Sequence, residues 1–530
     1  MRYFSSSGML RLIGAALIGA AASTLALALF APAQPARAAD VVRYVAVGGS
    51  DAGACDLSTN PCETPQYAIN VADPGDVIKI AAGTYTSVNT IAFTQTNAYS
   101  FTQIAFISKT LTLSGGYATS NWSIADPSAN PTIFDAEGYG RGVTIFGSGT
   151  EVVTVTGLTL TGGDYTGLGN PIGEFSRLCY GSDCGGGLYA SSVELHASSL
   201  TITGNTASRT RTFSWGGGMN LRNTLSGSTL TTITVSSNLA PTGTSNGGAI
   251  ALDNVGALTI TNGLFLDNHA MGNGGAISAY DPHGKLTLIN TRFERNSSEE
   301  YGAALYFESS TESQLRLEQS QILSNNSRFG DVIALINFLL GDDVSFRNVL
   351  VGGTAVTATT PARGLIHVDV QGSQTTGTYF DAAHITAADN EGLALLEIQA
   401  PAPVPSFFGT FTATLTNTLV TDLPALFMPV QGVSSTITIA ADHTLTESVP
   451  ALTTGAVGTA SITLSNTIGG AALLGSDYRP QALSAAIDAG LDLGIALDAS
   501  GAARDSLPDI GALESLAAPP QKLYLPVLRK

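Results

Sequence analysis

Two stretches of this 530-residue chain gather side chains suited to gripping a ligand. Residues 164–184 hold Tyr165, Phe175, Arg177, Tyr180 and the pair Cys179 and Cys184, and residues 206–215 hold Arg209, Arg211, Phe213 and Trp215. A guanidinium fork pairs with carboxylate or sulfate, and flat rings stack on sugar faces. Arg177, Tyr180, Arg209, Arg211 and Trp215 are therefore the candidate ligand-binding residues. The partner they would suit is an extracellular glycan or another cell-envelope component. The alternative is that the two stretches pack on each other, arginine over aromatic faces.

Catalytic groups are not assembled in the same way. Asp342-Asp343 has the residue type that glycoside hydrolysis uses in pairs, yet a lone pair after a glycine reads as a solvated turn. Asp281-Pro282-His283-Gly284-Lys285 has the composition of an exposed turn. The six histidines show no H-x₃-H spacing, so a transition-metal site has no support. No Gly-rich phosphate loop, nucleophile elbow or calcium-binding nonapeptide is present. The expectation is no catalytic set, no metal and no cofactor.

Charge narrows the partners further. Charged residues make up 12% of the chain, and the formal net charge is −18. Arg2 and Arg11, the apolar run Leu12 to Phe30 and Ala36-Arg37-Ala38 have the order of a signal peptide over residues 1–38. An uncleaved anchor is the alternative. Removing Arg2, Arg11 and Arg37 leaves 20 − 41 = −21, a surface that repels phosphate backbones, so nucleic acid is not expected. An exported chain favours disulfides, and Cys55/Cys62 and Cys179/Cys184 are the expected pairs.

The elements that must carry these side chains repeat. A glycine edge reads Gly185-Gly186-Gly187-Leu188, Gly216-Gly217-Gly218-Met219, Gly247-Gly248-Ala249-Ile250 and Gly274-Gly275-Ala276-Ile277. It decays to Gly302-Ala303 and Gly330-Asp331, with spacings of 31, 31, 27, 28 and 28. An asparagine edge keeps the same phase at Asn205, Asn238, Asn268, Asn296 and Asn325. Between the edges the apolar residues alternate, as in Leu258-Thr-Ile-Thr and Leu286-Thr-Leu-Ile, which is strand patterning with one buried face. A period near 28 with short strands fits one coil of a parallel β-helix. Stacked asparagines would form an amide ladder and tolerate a left-handed turn. Glycine supplies positive φ at the return, and Phe265 and Phe293 should stack inside. The connectors from Asn to Gly span 164–184, 206–215, 239–246, 269–273, 297–301 and 326–329. In a solenoid they emerge on one edge, the two longest side by side.

The GGAI and FxxN pair resembles the repeats of the polymorphic outer membrane proteins, a right-handed β-helix family. The stretch from Cys55 through Thr64-Pro65-Gln66-Tyr67-Ala68-Ile69 to Ala82-Gly83-Thr84-Tyr85 looks like the start of pectate-lyase-like bacterial surface proteins. Thr64 is a plausible helix N-cap there, with Pro65 in the first helical position. Ala485-Ala486-Ile487-Asp488-Ala489-Gly490 and Pro508-Asp509-Ile510-Gly511-Ala512-Leu513-Glu514 resemble the C-terminal signature of choice-of-anchor Q surface proteins. Pectin hydrolases of this fold resemble each other in NTD, DD, GHG and RIK motifs, of which only DD occurs here. Neither a C-terminal membrane barrel nor an LPxTG-type sorting sequence is legible.

The expected fold is an all-β, single-stranded right-handed parallel β-helix with a short N-terminal capping helix. Its parts are a signal peptide (1–38), an N-terminal cap (39–76), the β-helix (77–480), a C-terminal cap or anchor-like region (481–516) and a Pro-rich linker with a basic tail (517–530). The expected role is an exported adhesion, stalk or glycan-binding module. The alternative is a polysaccharide lyase or glycoside hydrolase using one edge of the helix.

Overall fold

Alternating sequence becomes strand, and the strands stack in register from coil to coil. The computed structural model describes residues 41–93, 99–168, 183–309, 313–338, 343–356, 363–370, 378–392, 394–399, 410–430, 436–447 and 460–516. The leader, Arg177, Cys179, Tyr180 and the tail from 517 lie outside the described residues. Among them, one sheet of 18 strands runs from Val42–Val45 to Ala460–Ser465 with parallel pairing. A second sheet of 12 strands runs from Asn89–Phe93 to Phe427–Val430. It is parallel except where Asn89–Phe93 opens it as a hairpin with Tyr99–Ile107. A third sheet has five two-residue strands, from Leu239–Ala240 to Ala355–Val356. With one seven-residue helix besides, this is a parallel β-helix.

The inward columns explain why the alternation was needed. Leu258, Leu286 and Leu315 align in register, as do Ile260, Leu288 and Leu317, all at most 1% exposed. Phe265 and Phe293 stack face to face at 4.9 Å with planes 8° apart. The coils continue where the repeat fades: Phe346, Ile366, Ile385, Leu395, Leu415 and Ile437 are all buried.

At the corner beyond Phe265 the amide ladder is complete. Asn268 Nδ2 donates to Asn296 Oδ1 at 2.9 Å and to Val235 O at 2.8 Å. Its backbone N–H also reaches Asn296 Oδ1, at 3.1 Å. Its own Oδ1 accepts from the backbone and the side-chain amide of Asn238. The left-handed residue at this corner is not the ladder asparagine. It is the residue before it: Ser237, Asp267, Arg295 and Ser324, with φ of 53° to 54°. The asparagine side chain needs its extended backbone to point inward, so the preceding residue makes the bend. At the return, Gly247 and Gly274 have φ of 69° and 68°, as expected.

The two ends differ. Thr64 Oγ1 accepts from Tyr67 N–H at 3.3 Å and caps helix Pro65–Val71, whose Ala68 and Ile69 join the core. Cys55 and Cys62 form a disulfide just before it. Residues 481–516 lie along the flank of earlier coils. Asn417 Nδ2 donates to Leu491 O at 2.7 Å, and Leu491 N–H returns to Asn417 Oδ1 at 2.8 Å. Asn348 Nδ2 reaches Leu497 O at 2.6 Å, and Ala512 N–H reaches Thr386 Oγ1 at 2.8 Å. His384 is held neutral, its pKa pushed down to about 3 by burial and by the Arg504 charge. Because Asn417 Nδ2 donates to its Nε2, its Nδ1–H must donate to Gly511 O. The Pro508–Glu514 motif is thus a clasp on the coils: Ile510 and Leu513 are buried, and Arg504 pairs with Glu514. No described helix is long and apolar enough to cross a membrane.

Asn268→Ala should strip partners from the Asn238 backbone N–H, the Asn238 amide and Val235 O. At about 1–3 kcal/mol for each buried polar group left unmet, the expected loss is several kcal/mol. A lowered denaturation midpoint with faster hydrogen exchange in coils 230–300 checks it.

Candidate functional site

The connectors emerge together, because each begins at the ladder and ends at the left-handed glycine. The first two are joined by the parallel strands Asp183–Cys184 and Ser214–Trp215. Bridges Asp164 to Thr206 and Thr206 to Leu239 carry the edge into the third sheet.

This edge holds the described candidate residues but also supplies them with partners. Arg209 is exposed, with Nε 2.8 Å from Asp164 Oδ2 and Nη2 3.1 Å from Thr206 Oγ1. Arg211 Nε lies 3.8 Å from Asp183 Oδ1, and Asp183 is fully buried. Trp215 is half-buried and meets Tyr280 edge-on at 4.7 Å. Arg177, Tyr180 and Cys179 lie outside the described residues, and no described cysteine is a free thiol. The arginines thus meet carboxylates of the chain itself, whereas the packing alternative places arginine over aromatic faces. Beside them Arg141, fully buried, lies 3.3 Å over the Tyr165 ring and donates to the carbonyls of Cys184 and Gly185. It holds the start of the glycine edge in place.

Sequence reading missed a longer feature. The residue before each turn glycine reads Cys184, Trp215, Asn246, Asn273, Tyr301, Phe329 and Arg363. Asn246 Oδ1 accepts from Asn273 N–H at 2.7 Å, and Asn273 Oδ1 accepts from Tyr301 N–H at 3.1 Å, so the column is tied together. Tyr301 stacks on Phe329 at 5.3 Å, and the Arg363 guanidinium lies 5.0 Å over Tyr301. Alongside run the outward positions of the second sheet. Tyr280 and Tyr306 are 5.2 Å apart, Tyr306 donates to Glu308 at 2.6 Å, and Asn273 Nδ2 reaches the Tyr280 hydroxyl at 3.2 Å. Burial pushes the Tyr280 phenol up to about 12. Half-buried rings therefore line the connector exits from Trp215 to Phe329, a span of ~20 Å at the spacing of adjacent strands.

A buried ionic cluster lies under the far end of this strip. Asp331 takes the place of the second turn glycine and is fully buried. Its Oδ2 accepts from Gly302 N–H at 2.8 Å and its Oδ1 from Ser327 Oγ at 3.1 Å. Burial raises its pKa to about 6, against the opposing His367 charge and these hydrogen bonds. His367 Nδ1 is 3.4 Å from Glu397 Oε2, which also accepts from Gly364 N–H at 2.9 Å. Burial alone would raise Glu397; His367, Gly364 N–H and Arg363 together lower it. Among the described residues, no three His, Cys, Asp or Glu side chains come together as a metal site.

An acid whose folded pKa is raised binds its proton more tightly in the native state. Its contribution to stability is full below the unfolded value near 4 and is lost as pH rises through about 6. The loss is about 3 kcal/mol. Asp331→Asn keeps an acceptor for Gly302 N–H without the buried charge. Its melting temperature should exceed that of the native chain at pH 7.5, and the gap should close by pH 4.

Comparison with known proteins gives no family model and no curated protein that matches the chain. Among solved structures it is similar to pectate lyase Pel9A at 12% identity and a TM-score of 0.32, covering 90% of this chain and 97% of that one. It is also similar to the catalytic unit of a thermostable GH87 α-1,3-glucanase from Streptomyces thermodiastaticus strain HF3-3. There the identity is 12% and the TM-score 0.38, over 83% of this chain and 70% of that one. At such values the likeness carries no argument about activity, and the parallel β-helix rests on the strand registers of the chain itself.

Proposed function

We propose that the protein is an exported, cell-surface or extracellular β-helix whose connector edge binds a glycan. One observation carries this reading: the half-buried rings of Trp215, Tyr280, Tyr301 and Phe329 follow the coil axis with amide and guanidinium groups between them. A sugar chain offers alternating apolar faces and hydroxyl edges, which such a strip complements. Because Arg209 and Arg211 already face Asp164 and Asp183, a neutral chain suits the edge better than a polyanion. The enzyme alternative draws on Asp331 and Glu397, whose environments push their pKa values apart as an acid and base pair requires. Both are buried, so a substrate would have to displace the strip above them.

Titration against neutral and anionic oligosaccharides tests the reading. Trp215→Ala and Tyr301→Ala should each weaken binding roughly tenfold, about 1.4 kcal/mol. The Arg209→Ala/Arg211→Ala double variant should leave a neutral glycan unaffected and weaken an anionic one, whose binding would also fall with salt. No binding to any member of the panel, or unchanged binding in the ring variants, rejects the site. New reducing or unsaturated ends in the same mixtures would establish the enzyme instead.

A further inference from the structure

The solenoid ends unlike it begins. At its start helix Pro65–Val71 lies against the core. At its far end Ala460–Ser465 pairs with Thr436–Thr446, and no described strand pairs with its other edge. Ala460, Ile462 and Leu464 continue the inward columns of Ile437, Ile439 and Ala441. Those three are at most 1% exposed, whereas Leu464 is 40% exposed. Ser461, Thr463 and Ser465 are exposed as well. Among the described residues, the segment after Ser465 does not close this end. Ile468 N–H bonds back to Thr444 O, Ala472 N–H bonds to Glu447, and the segment then joins the flank.

An open edge presents a row of N–H and C=O groups that another strand can use. Proteins that must stay single blunt such edges with lysine, proline, a bulge or an inward charge. This edge, Ala-Ser-Ile-Thr-Leu-Ser, carries none of them. Between Glu447 and Asp477 the sequence has no ionisable side chain. Asp442 accepts from Ser465 and Asn466 at one end of the strand, and the edge strand itself carries no charge, so in a chain of net charge −18 two copies meet on an uncharged edge. The helix at the opposite end prevents head-to-tail stacking. The remaining arrangement brings two like ends together about a two-fold axis, which closes after two copies and runs the edge strands antiparallel.

We infer that two copies of this chain join tail to tail, pairing Ala460–Ser465 with its equivalent and burying Ile462 and Leu464 of both. The occupant is a second copy, because among the described residues the end offers an uncharged strand edge with Leu464 exposed beside it, which its own equivalent matches about a two-fold axis.

Sedimentation of the exported full chain, without glycan, over a wide concentration range tests this. The expected mass is twice that of the chain. Leu464→Lys puts a charge from each copy into the joined apolar cores, and Thr463→Lys puts a lysine on the exposed edge. Each should weaken association at least tenfold while leaving the circular dichroism unchanged. Hydrogen exchange at 460–465 in the native chain should slow as concentration rises. A monomer at every concentration overturns the inference, as does a dimer that survives both lysines. Protection at 460–465 independent of concentration would show that another segment of the same chain covers the edge, and would equally overturn it. None of these readouts depends on glycan binding, so the two proposals fail separately.

Discussion

A buried amide inside the ladder is satisfied only by the coils on either side of it. Asn268 cannot meet its own hydrogen-bonding needs: its donors go to Asn296 and Val235, and its acceptor is used by Asn238. An unmet buried donor or acceptor costs about 1–3 kcal/mol, a large fraction of the margin by which a domain is stable. Register is therefore enforced at one corner of every coil. A slip by one residue would orphan the amide and turn the apolar alternation outward at once. Length can vary only where this constraint does not act. That is why connectors of very different length coexist with strand registers that hold from coil to coil.

The ladder also explains where the repeat was legible and where it faded. Ladder asparagine and turn glycine are nearly irreplaceable, one for its paired donor and acceptor and the other for its backbone. A window rich in both shows its period directly. Past 335 the corner changes chemistry but not geometry: the backbone and hydroxyl of Thr354 both reach Asn390 Oδ1, at 3.2 and 2.8 Å. Threonine breaks the sequence pattern without breaking the stack. The inward columns accept any apolar residue of fitting volume, so they leave only alternation behind. The flank segment was the least legible part. Its recognisable motif, Pro508 to Glu514, says nothing of the asparagine and histidine side chains that the coils turn toward it. Asn348, His384 and Asn417 reach it because each sits at a left-handed bend within its strand, φ 53° to 56°.

The site was legible in part for a related reason. Arg209, Arg211 and Trp215 stood out because arginine and tryptophan are scarce in this chain. Scarcity does not say what a side chain touches, and the partners Asp164 and Asp183 are unremarkable in sequence. The ring column was missed because its members are 27 to 34 residues apart and differ in type. Tyr301, Phe329 and Arg363 share only their place before the turn. Reading down the repeat at that fixed phase, rather than along the chain, would have found it.

Departures from the repeat then carry information that the repeat itself cannot. The second turn glycine is small because the next coil passes directly over it: a Cβ on Gly248 would lie 2.3 Å from Gly275 O. At this phase stand Arg141 before the glycine run and Asp331 after it, one fully buried charge of each sign. Neither is needed for stacking, and burial works against both: the Arg141 guanidinium is pushed down and the Asp331 carboxyl up. A sequence that only had to stack would put glycine or alanine in both places, as it does at Gly275 and Ala303. Arg141 secures the long connectors that bear Trp215, and Asp331 sits with His367, Glu397 and Arg363 beneath Tyr301 and Phe329. These two buried charges at the glycine phase bracket the strip of rings. That coincidence is a stronger pointer to a working surface than any single residue on it.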